Sequence, residues 1–461
     1  MRFTELAAVT GGKLLTEERA EHSFTGVSID SRQVQSGQLF MAIRGENKDG
    51  HDFIEQAIGN GAAGVVLETS RRRTEGFADD AAVVAVVNSH EAMLRLARSY
   101  RDSLAARFVG ITGSNGKTTT KELAARLLRA VEKKTYCSAG NLNNLYGVPL
   151  AIFAIPQDTR EAILELGIST RNEMPRLADL VRPEVIMLTN VGPSHLEFLE
   201  SVQAVAQAKL ELVKRAAPQV PVIVNADDPV LMAELKKVRT DYITFALDAG
   251  ADFTAEHITR GETGESVVSI EGHRFRLPLV GRHQVYNLLA AYALLRTMGY
   301  SLDGIDTFQL ALDTAPMRGQ RVVLGGITFV ADCYNANPES MKAGLQAYFE
   351  TESDSRRVVI LGDMLELGRE AERYHRQVGR QLAEYDFELA VLVGAMARFI
   401  REGALETGAD ATRFRYFENS GQAAEQIREL LNRGDLVYIK GSRGIGLETI
   451  MDVFDKKQEQ I

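Results

Sequence analysis

The strongest chemical signal in this chain is GITGSNGKTTT, residues 110–120. Gly113 and Gly116 let the backbone turn its N–H groups toward one point, and a following helix sets its positive end there, which suits phosphate oxygens. Lys117 adds a cation against β- and γ-phosphates, and a hydroxyl from Thr118 or Thr119 can ligate Mg2+. The spacing departs from the usual phosphate loop: five places before Gly116 that pattern has a glycine, whereas Ile111 stands here, with glycines at 110 and 113. A glycine-rich solvent loop is the alternative. The intact Gly-Lys-Thr, between a strand-like run (107–112) and a helix-like run (121–132), favours a phosphate cradle and the use of a nucleoside triphosphate.

Four further groups carry chemistry-bearing residues. Glu165 ends an apolar run at 162–166, where a carboxylate can reach a Mg2+ held by a triphosphate or can cap a helix. His195 follows another apolar run, 185–191, in a segment with Asn190 and Pro193. It suits a metal ligand or a polarising donor, and a lone histidine is otherwise structural. Lys209 sits among Ala204, Val205, Ala206 and Ala208. A buried lysine there is neutral or paired, and a neutral amine adds CO2 to become an anionic carbamate; the alternative is a surface lysine lying over apolar neighbours. Asp332, Tyr334, Asn335 and Asn337 close the run 327–331 ahead of a helix at 339–348. A cap with Pro338 in the first turn explains Asn337 but not the other three together.

The elements that must position these groups are read from periodicity. Short strand-like runs at 38–43 and 64–67 open the chain, and a charged segment, 70–80, then loosens it. From 107 to 299 buried strands (162–166, 185–191, 220–225) alternate with helices (202–216, 285–298), which implies a parallel sheet covered by helices. Residues 253–280 change to polar/apolar alternation and predict a small antiparallel excursion; 313–319 reads as a linker. Strands at 358–361, 389–393, 414–417 and 436–439, with helices at 370–384 and 421–432, make a separate doubly wound domain. Its strand ends carry Gly362-Asp363-Met364-Leu365-Glu366 and Lys440-Gly441-Ser442-Arg443.

A length of 461 residues requires more than one core. A net charge of −9 argues against a nucleic-acid surface, and Cys137 and Cys333 alone give no disulfide framework and suit a reducing cytoplasm. Glu5, Gly11, Gly12 and Lys13 interrupt any apolar signal core, and no run approaches a membrane span.

With these residues in order, the chain resembles the Mur ligase family, ATP-dependent amide ligases of peptidoglycan precursor synthesis. The likeness rests on the loop at 112–118, Glu165, Asn190 to His195, the Ala208-Lys209-Leu210-Glu211 helix and His283 to Asn287. It covers nearly the whole chain and implies an α/β protein of three domains. These are a small N-terminal UDP-binding domain (1–85), a central parallel-sheet ATPase domain with the phosphate loop (86–314) and a C-terminal Rossmann-like domain (315–461). Asn141, Asn143 and Asn144 before Gly147-Val148-Pro149, and Asp332 to Pro338, are similar to the members that join D-alanyl-D-alanine to a UDP-N-acetylmuramoyl-tripeptide. A folylpolyglutamate synthetase-like ligase is the alternative within the superfamily. A GTP switch is disfavoured by the lack of Asn-Lys-x-Asp and Asp-x-x-Gly strings.

The resemblance also implies roles. The loop backbone and Lys117 hold the phosphates; Thr118 and Glu165 hold one Mg2+, and His195 with a carbamylated Lys209 a second. Asn287 contacts adenine, Asp332 the ribose, and Arg321, preferred to Arg318 by its spacing after Gly319, marks the domain junction. Asn335 and Asn337 lie near the dipeptide, and Asp30, Ser31 and Arg32 near the UDP end. A cytoplasmic monomer is expected, closing by domain rotation about hinges near residues 85 and 315.

Overall fold

The computed structural model describes residues 1–45, 48–71, 80–261, 265–277, 281–305, 307–310 and 317–455. The hinge expected near 315, residues 313–316 of the expected linker and most of the segment 70–80 lie outside the described residues.

The strands of the middle region are apolar on both faces, so they must be covered on both sides, and parallel strands joined through helices achieve that. Seven strands form this sheet, in the order Phe253–Thr254, Ile243–Ala246, Val222–Asn225, Val185–Leu188, Arg107–Thr112, Glu161–Glu165, Thr135–Cys137. Every pairing is parallel. The helices Lys117–Val131 and Arg282–Thr297 pack on one face around Leu123, Leu127, Leu288 and Leu295. Glu173–Val181 and Val202–Arg215 cover the other around Leu177, Val205 and Leu212. The phosphate-loop helix begins at Lys117 rather than 121, because Gly116, at φ 80°, is its N-cap.

Residues 253–280 differ from the expected excursion in one respect. Phe253–Thr254 extends the central sheet in parallel, and the antiparallel meander starts only at His257–Arg260, continuing through Ser266–Ile270 and His273–Leu277. Thr307–Gln309 adds to it in parallel.

The C-terminal sheet has six strands in the order Gln320–Leu324, Ile327–Ala331, Leu436–Lys440, Arg357–Gly362, Leu389–Val393, Phe414–Phe417. The first pairing alone is antiparallel. The N-terminal sheet of five places Lys13–Leu14 antiparallel to Ala82–Val86, with Gly64–Glu68, Leu39–Met41 and Val27–Ser28 following in parallel. Helix Ser89–Ser103, not read from the sequence, starts where Asn88 accepts from the Glu91 N–H. It buries Met93 and Leu96 in the N-terminal core and Ala97 in the central one, so it joins the two.

In the C-terminal domain, helices Ala371–Leu382 and Arg398–Glu406 touch through glycine: a Cβ on Gly403 would stand 2.1 Å from the Arg376 carbonyl, and one on Gly379 1.9 Å from that of Ile400. Gly403→Ala must push the helices apart, at about 1–3 kcal/mol. A urea midpoint equal to that of the parent protein would refute this close packing.

Candidate active site

Parallel strands all end at the same edge of their sheet, so residues far apart in sequence meet there. Arg107–Thr112 lies between Glu161–Glu165 and Val185–Leu188, and this order brings the phosphate loop, Glu165 and the segment Asn190–His195 together. In the C-terminal sheet the neighbours Ile327–Ala331, Leu436–Lys440 and Arg357–Gly362 likewise bring together Asp332, Lys440 and Glu366. The two edges face one cavity of about 1250 Å3, lined from both domains by residues between Ser114 and Gly444.

The loop is built around two glycines at which a side chain would collide with its neighbours. A Cβ on Gly113 would lie 1.9 Å from Thr189 Oγ1, and one on Gly116 2.2 Å from Asn287 Oδ1. Asn190 clamps the loop, its side chain accepting from the Asn115 N–H at 2.9 Å and donating to the Asn115 carbonyl at 3.1 Å. Lys117 Nζ donates to the Gly113 and Ser114 carbonyls at 2.8 and 3.1 Å. Burial lowers its pKa, with Glu165 opposing and Arg318 adding to the shift.

Thr118 Oγ1 donates to Glu165 Oε2 at 2.7 Å, and Asn143 Nδ2 to Oε1 at 2.8 Å. This selects Thr118 over Thr119 as the hydroxyl beside the carboxylate. His195 and Glu366 are both left-handed, at φ 54° and 62°, and His195 Nδ1 meets Glu366 Oε2 at 2.5 Å. The hydrogen bond from His195 lowers the Glu366 pKa, so the carboxylate accepts and the Nδ1–H donates, which orients the imidazole. Lys209 is buried beneath the site with no hydrogen bond or ion pair among the described residues, and does not line the cavity. Burial, reinforced by the charge of Lys117, holds its pKa well below the usual lysine range.

Across the cavity, Asp332 Oδ2 accepts from Lys440 Nζ at 2.7 Å and Tyr438 OH at 2.9 Å. Burial lowers the His283 pKa, with Asp332 and Glu350 opposing and Lys440 acting in the same sense. Asn287 joins Thr120 to Gln284. Asn115 spans the domains, accepting from Asn337 Nδ2 at 2.7 Å and donating to Glu339 Oε2 at 3.2 Å. Gly192 permits that approach, since a Cβ there would lie 2.1 Å from Glu339 Oε2.

Three family models cover most of the chain: "Mur ligase family, catalytic domain" at 23–101, "Mur ligase middle domain" at 111–295 and "Mur ligase, glutamate ligase domain" at 317–443. The UDP-N-acetylmuramoyl-tripeptide–D-alanyl-D-alanine ligase of Bacillus subtilis is 31% identical over 97% of this chain and 96% of its own length. The chain belongs to the Mur ligase family. Among solved structures, MurF from Acinetobacter baumannii superposes with a TM-score of 0.83 at 28% identity, covering 98% of both chains. MurF ligase from Thermotoga maritima in complex with ADP gives 0.78 at 27%, covering 94% of this chain and 98% of that one.

Of the residues expected at a Mur ligase site, the loop residues 114–119, Asn141, Asn143, Asn144, Glu165, His195, Asn287, Asp332, Asn335 and Asn337 line the cavity. Arg321 does not: it is exposed on the edge strand Gln320–Leu324, and alternation along that strand turns it away. Arg318 lines the cavity instead, stacked 4.1 Å over the Tyr334 ring. Asp30, Ser31 and Arg32 lie outside it; Arg32 pairs with Asp30, and Ser31 Oγ donates to Gln56 at 2.7 Å. Sequence reasoning missed Glu339, the pair in which Tyr286 OH donates to Asp227 Oδ2 at 2.7 Å, and the role of Glu366, all of which line the cavity. The strand-end position of 362–366 was the available signal for the last.

Glu339 opens on the cavity solvent and is hemmed in by both domains elsewhere. Partial loss of water around the carboxylate, with the charge of Asp228, pushes it up to about 7 against the hydrogen bond from Asn115. A raised carboxyl pKa favours the protonated folded state, so its contribution is complete at low pH and lost as pH rises from the ordinary 4.5 through about 7. The wild-type melting temperature should therefore fall across that window relative to Glu339→Gln; parallel pH profiles would count against it.

Proposed function

We propose that this chain is an ATP-dependent amide ligase that joins D-alanyl-D-alanine to a UDP-N-acetylmuramoyl-tripeptide, a cytoplasmic step of peptidoglycan precursor synthesis and hence of cell-wall growth, shape and division. The observation that carries this reading is the single cavity in which the phosphate-loop edge of one sheet faces the Asp332–Asn337 edge of the other. The whole-length likeness to ligases of that name supports it.

A carboxylate resists attack by an amine because its leaving group would be oxide. ATP phosphorylates the terminal carboxylate of the tripeptide, giving an acyl phosphate and ADP. The dipeptide amine then attacks the acyl carbon, the amide forms, and phosphate leaves with the proton lost to solvent or base. Loop N–H groups from Gly113 to Thr119 hold the β- and γ-phosphates, and Lys117 offsets the charge of the transferring phosphoryl. Arg318, over Tyr334, faces the same space. Asn287 and Asp332 hold adenine and ribose, Asn335 and Asn337 lie near the dipeptide, and Asp30, Ser31 and Arg32 serve the UDP end.

Mg2+ fits the first site. Thr118 and Glu165 offer hard oxygens side by side, the donor type that suits an ion which keeps waters and phosphate ligands. A bound Mg2+ would neutralise phosphate charge there. His195, through Nε2, and a carbamylated Lys209 would hold a second. Lys209 is suited to carbamylation because burial lowers its pKa well below the usual lysine range, which favours the amine that adds CO2.

Phosphate release from ATP and Mg2+, with each acceptor omitted in turn, tests the reading. Release should require both the UDP-linked tripeptide and D-alanyl-D-alanine; release indifferent to the dipeptide would refute the assignment. Lys209→Ala should lose most activity, on the order of 10- to 100-fold, and a small added carboxylate should restore part of it. Full activity in the unsupplemented variant would remove the carbamate from the mechanism.

A further inference from the structure

Lys121 lies one turn beyond the phosphate loop and is fully buried. Its ammonium sits among carbonyls: Nζ donates to Ser138 O at 2.5 Å and Gly140 O at 3.0 Å, and Glu122 Oε1 at 3.3 Å supplies the countercharge. Burying an ammonium is unfavourable unless it is paired and hydrogen-bonded, and an apolar side chain would fill a helix face with less penalty. The neighbouring buried positions Leu123, Ala124, Ala125, Leu127 and Leu128 do that. Lys121 therefore calls for an explanation beyond packing.

The carbonyls it holds open the segment that carries Asn141, Asn143 and Asn144. That segment touches Glu165 twice: the Glu165 N–H donates to Ser138 Oγ at 3.3 Å, and Asn143 Nδ2 donates to Glu165 Oε1 at 2.8 Å. Asn143 is itself pinned, its N–H donating to Asn141 O at 2.7 Å and its carbonyl accepting from Gly167 N at 2.8 Å. The other oxygen of Glu165 accepts from Thr118, which is on the same helix as Lys121. The contacts close a ring, from Lys121 through residues 138–143 to Glu165, then to Thr118 and back along the helix.

We propose that Lys121 is a positioning residue for the magnesium side of the nucleotide site: it anchors the 138–144 segment, and through Asn143 it fixes the rotation of the Glu165 carboxylate. The proposal rests on the reading of Thr118 and Glu165 as the metal side of that site. Lys121, which does not line the cavity, thereby acts through the geometry of the carboxylate.

Calorimetric ADP binding, with and without Mg2+, tests it in the wild type, Lys121→Met, Asn143→Ala and the double variant, with folding checked by circular dichroism. In Lys121→Met the metal-free ADP affinity should stay within about twofold of the wild type, while the gain in affinity on adding Mg2+ shrinks by about tenfold or more. Asn143→Ala should lose the same gain, and the double variant should be no worse than the more affected single one. In turnover, Lys121→Met should raise the Mg2+ concentration for half-maximal phosphate release and leave the KM for D-alanyl-D-alanine unchanged. A wild-type magnesium gain in Lys121→Met overturns the proposal. So does a loss of ADP affinity that is equal with and without metal, which would make Lys121 a support of the loop alone. Should Lys121→Met fail to fold, Lys121→Gln, a shorter donor, carries the same test with the same outcomes. Wild-type protein that binds no ADP would overturn the nucleotide reading itself and the proposal with it, whereas bound ADP with an unaltered magnesium effect in the variants overturns the proposal alone.

Discussion

Everything in this molecule depends on one constraint: a triphosphate must be met by many weak donors that already point at it. Backbone N–H groups do this only if the chain turns sharply after a buried strand and enters a helix at once. Gly113 and Gly116 allow the turn, at φ 153° and 80°. Asn190 holds it from the neighbouring strand, contacting both the N–H and the carbonyl of Asn115. The strand Arg107–Thr112 has its place between Glu161–Glu165 and Val185–Leu188 for the same reason, since only adjacent parallel strands end close enough to supply the carboxylate and the clamp.

The second sheet repeats the arrangement for a different purpose. Its strand ends offer a lysine–aspartate pair, a tyrosine and asparagines rather than a phosphate loop, a polar surface suited to sugar and peptide groups. Contact between the two edges is made by short, directional groups: Asn115 with Asn337 and Glu339, and His195 with Glu366. Polar contacts of this kind exchange with water more readily than an apolar interface does. Ligase chemistry needs this, because ATP, an acid and an amine must enter separately and then be held together.

Buried cations deserve comparison. Lys117 faces the loop, Lys209 lies below it without a partner among the described residues, and Lys121 is fully satisfied by carbonyls and Glu122. Similar residue types on helices thus occupy three electrostatic situations. Burial alone lowers the affinity of Lys209 for its proton, and the nearby charge of Lys117 reinforces it. Lys121, by contrast, donates to two carbonyls and stands 3.3 Å from the Glu122 carboxylate.

The sequence by itself determined the local elements and the chemistry they could carry. Residues 107–112, 327–331, 389–393 and 414–417 are strands with the bounds that their apolar runs predicted. Glycine spacing marked the phosphate loop, and Asn337-Pro338 marked a capped helix start, because these depend on backbone rules that act over a few residues. Tertiary structure decided which candidates share a site. It placed Arg318, which precedes the strand Gln320–Leu324, in the cavity and left Arg321 exposed on that strand, since distance from a glycine does not say which way a side chain faces. It left Asp30, Ser31 and Arg32 outside that cavity and brought in Glu339 and Glu366, whose neighbours lie more than a hundred residues away in the chain. It also showed Lys121 to be buried: a lysine in a helix reads as a solvent residue until the loop that folds over it is known.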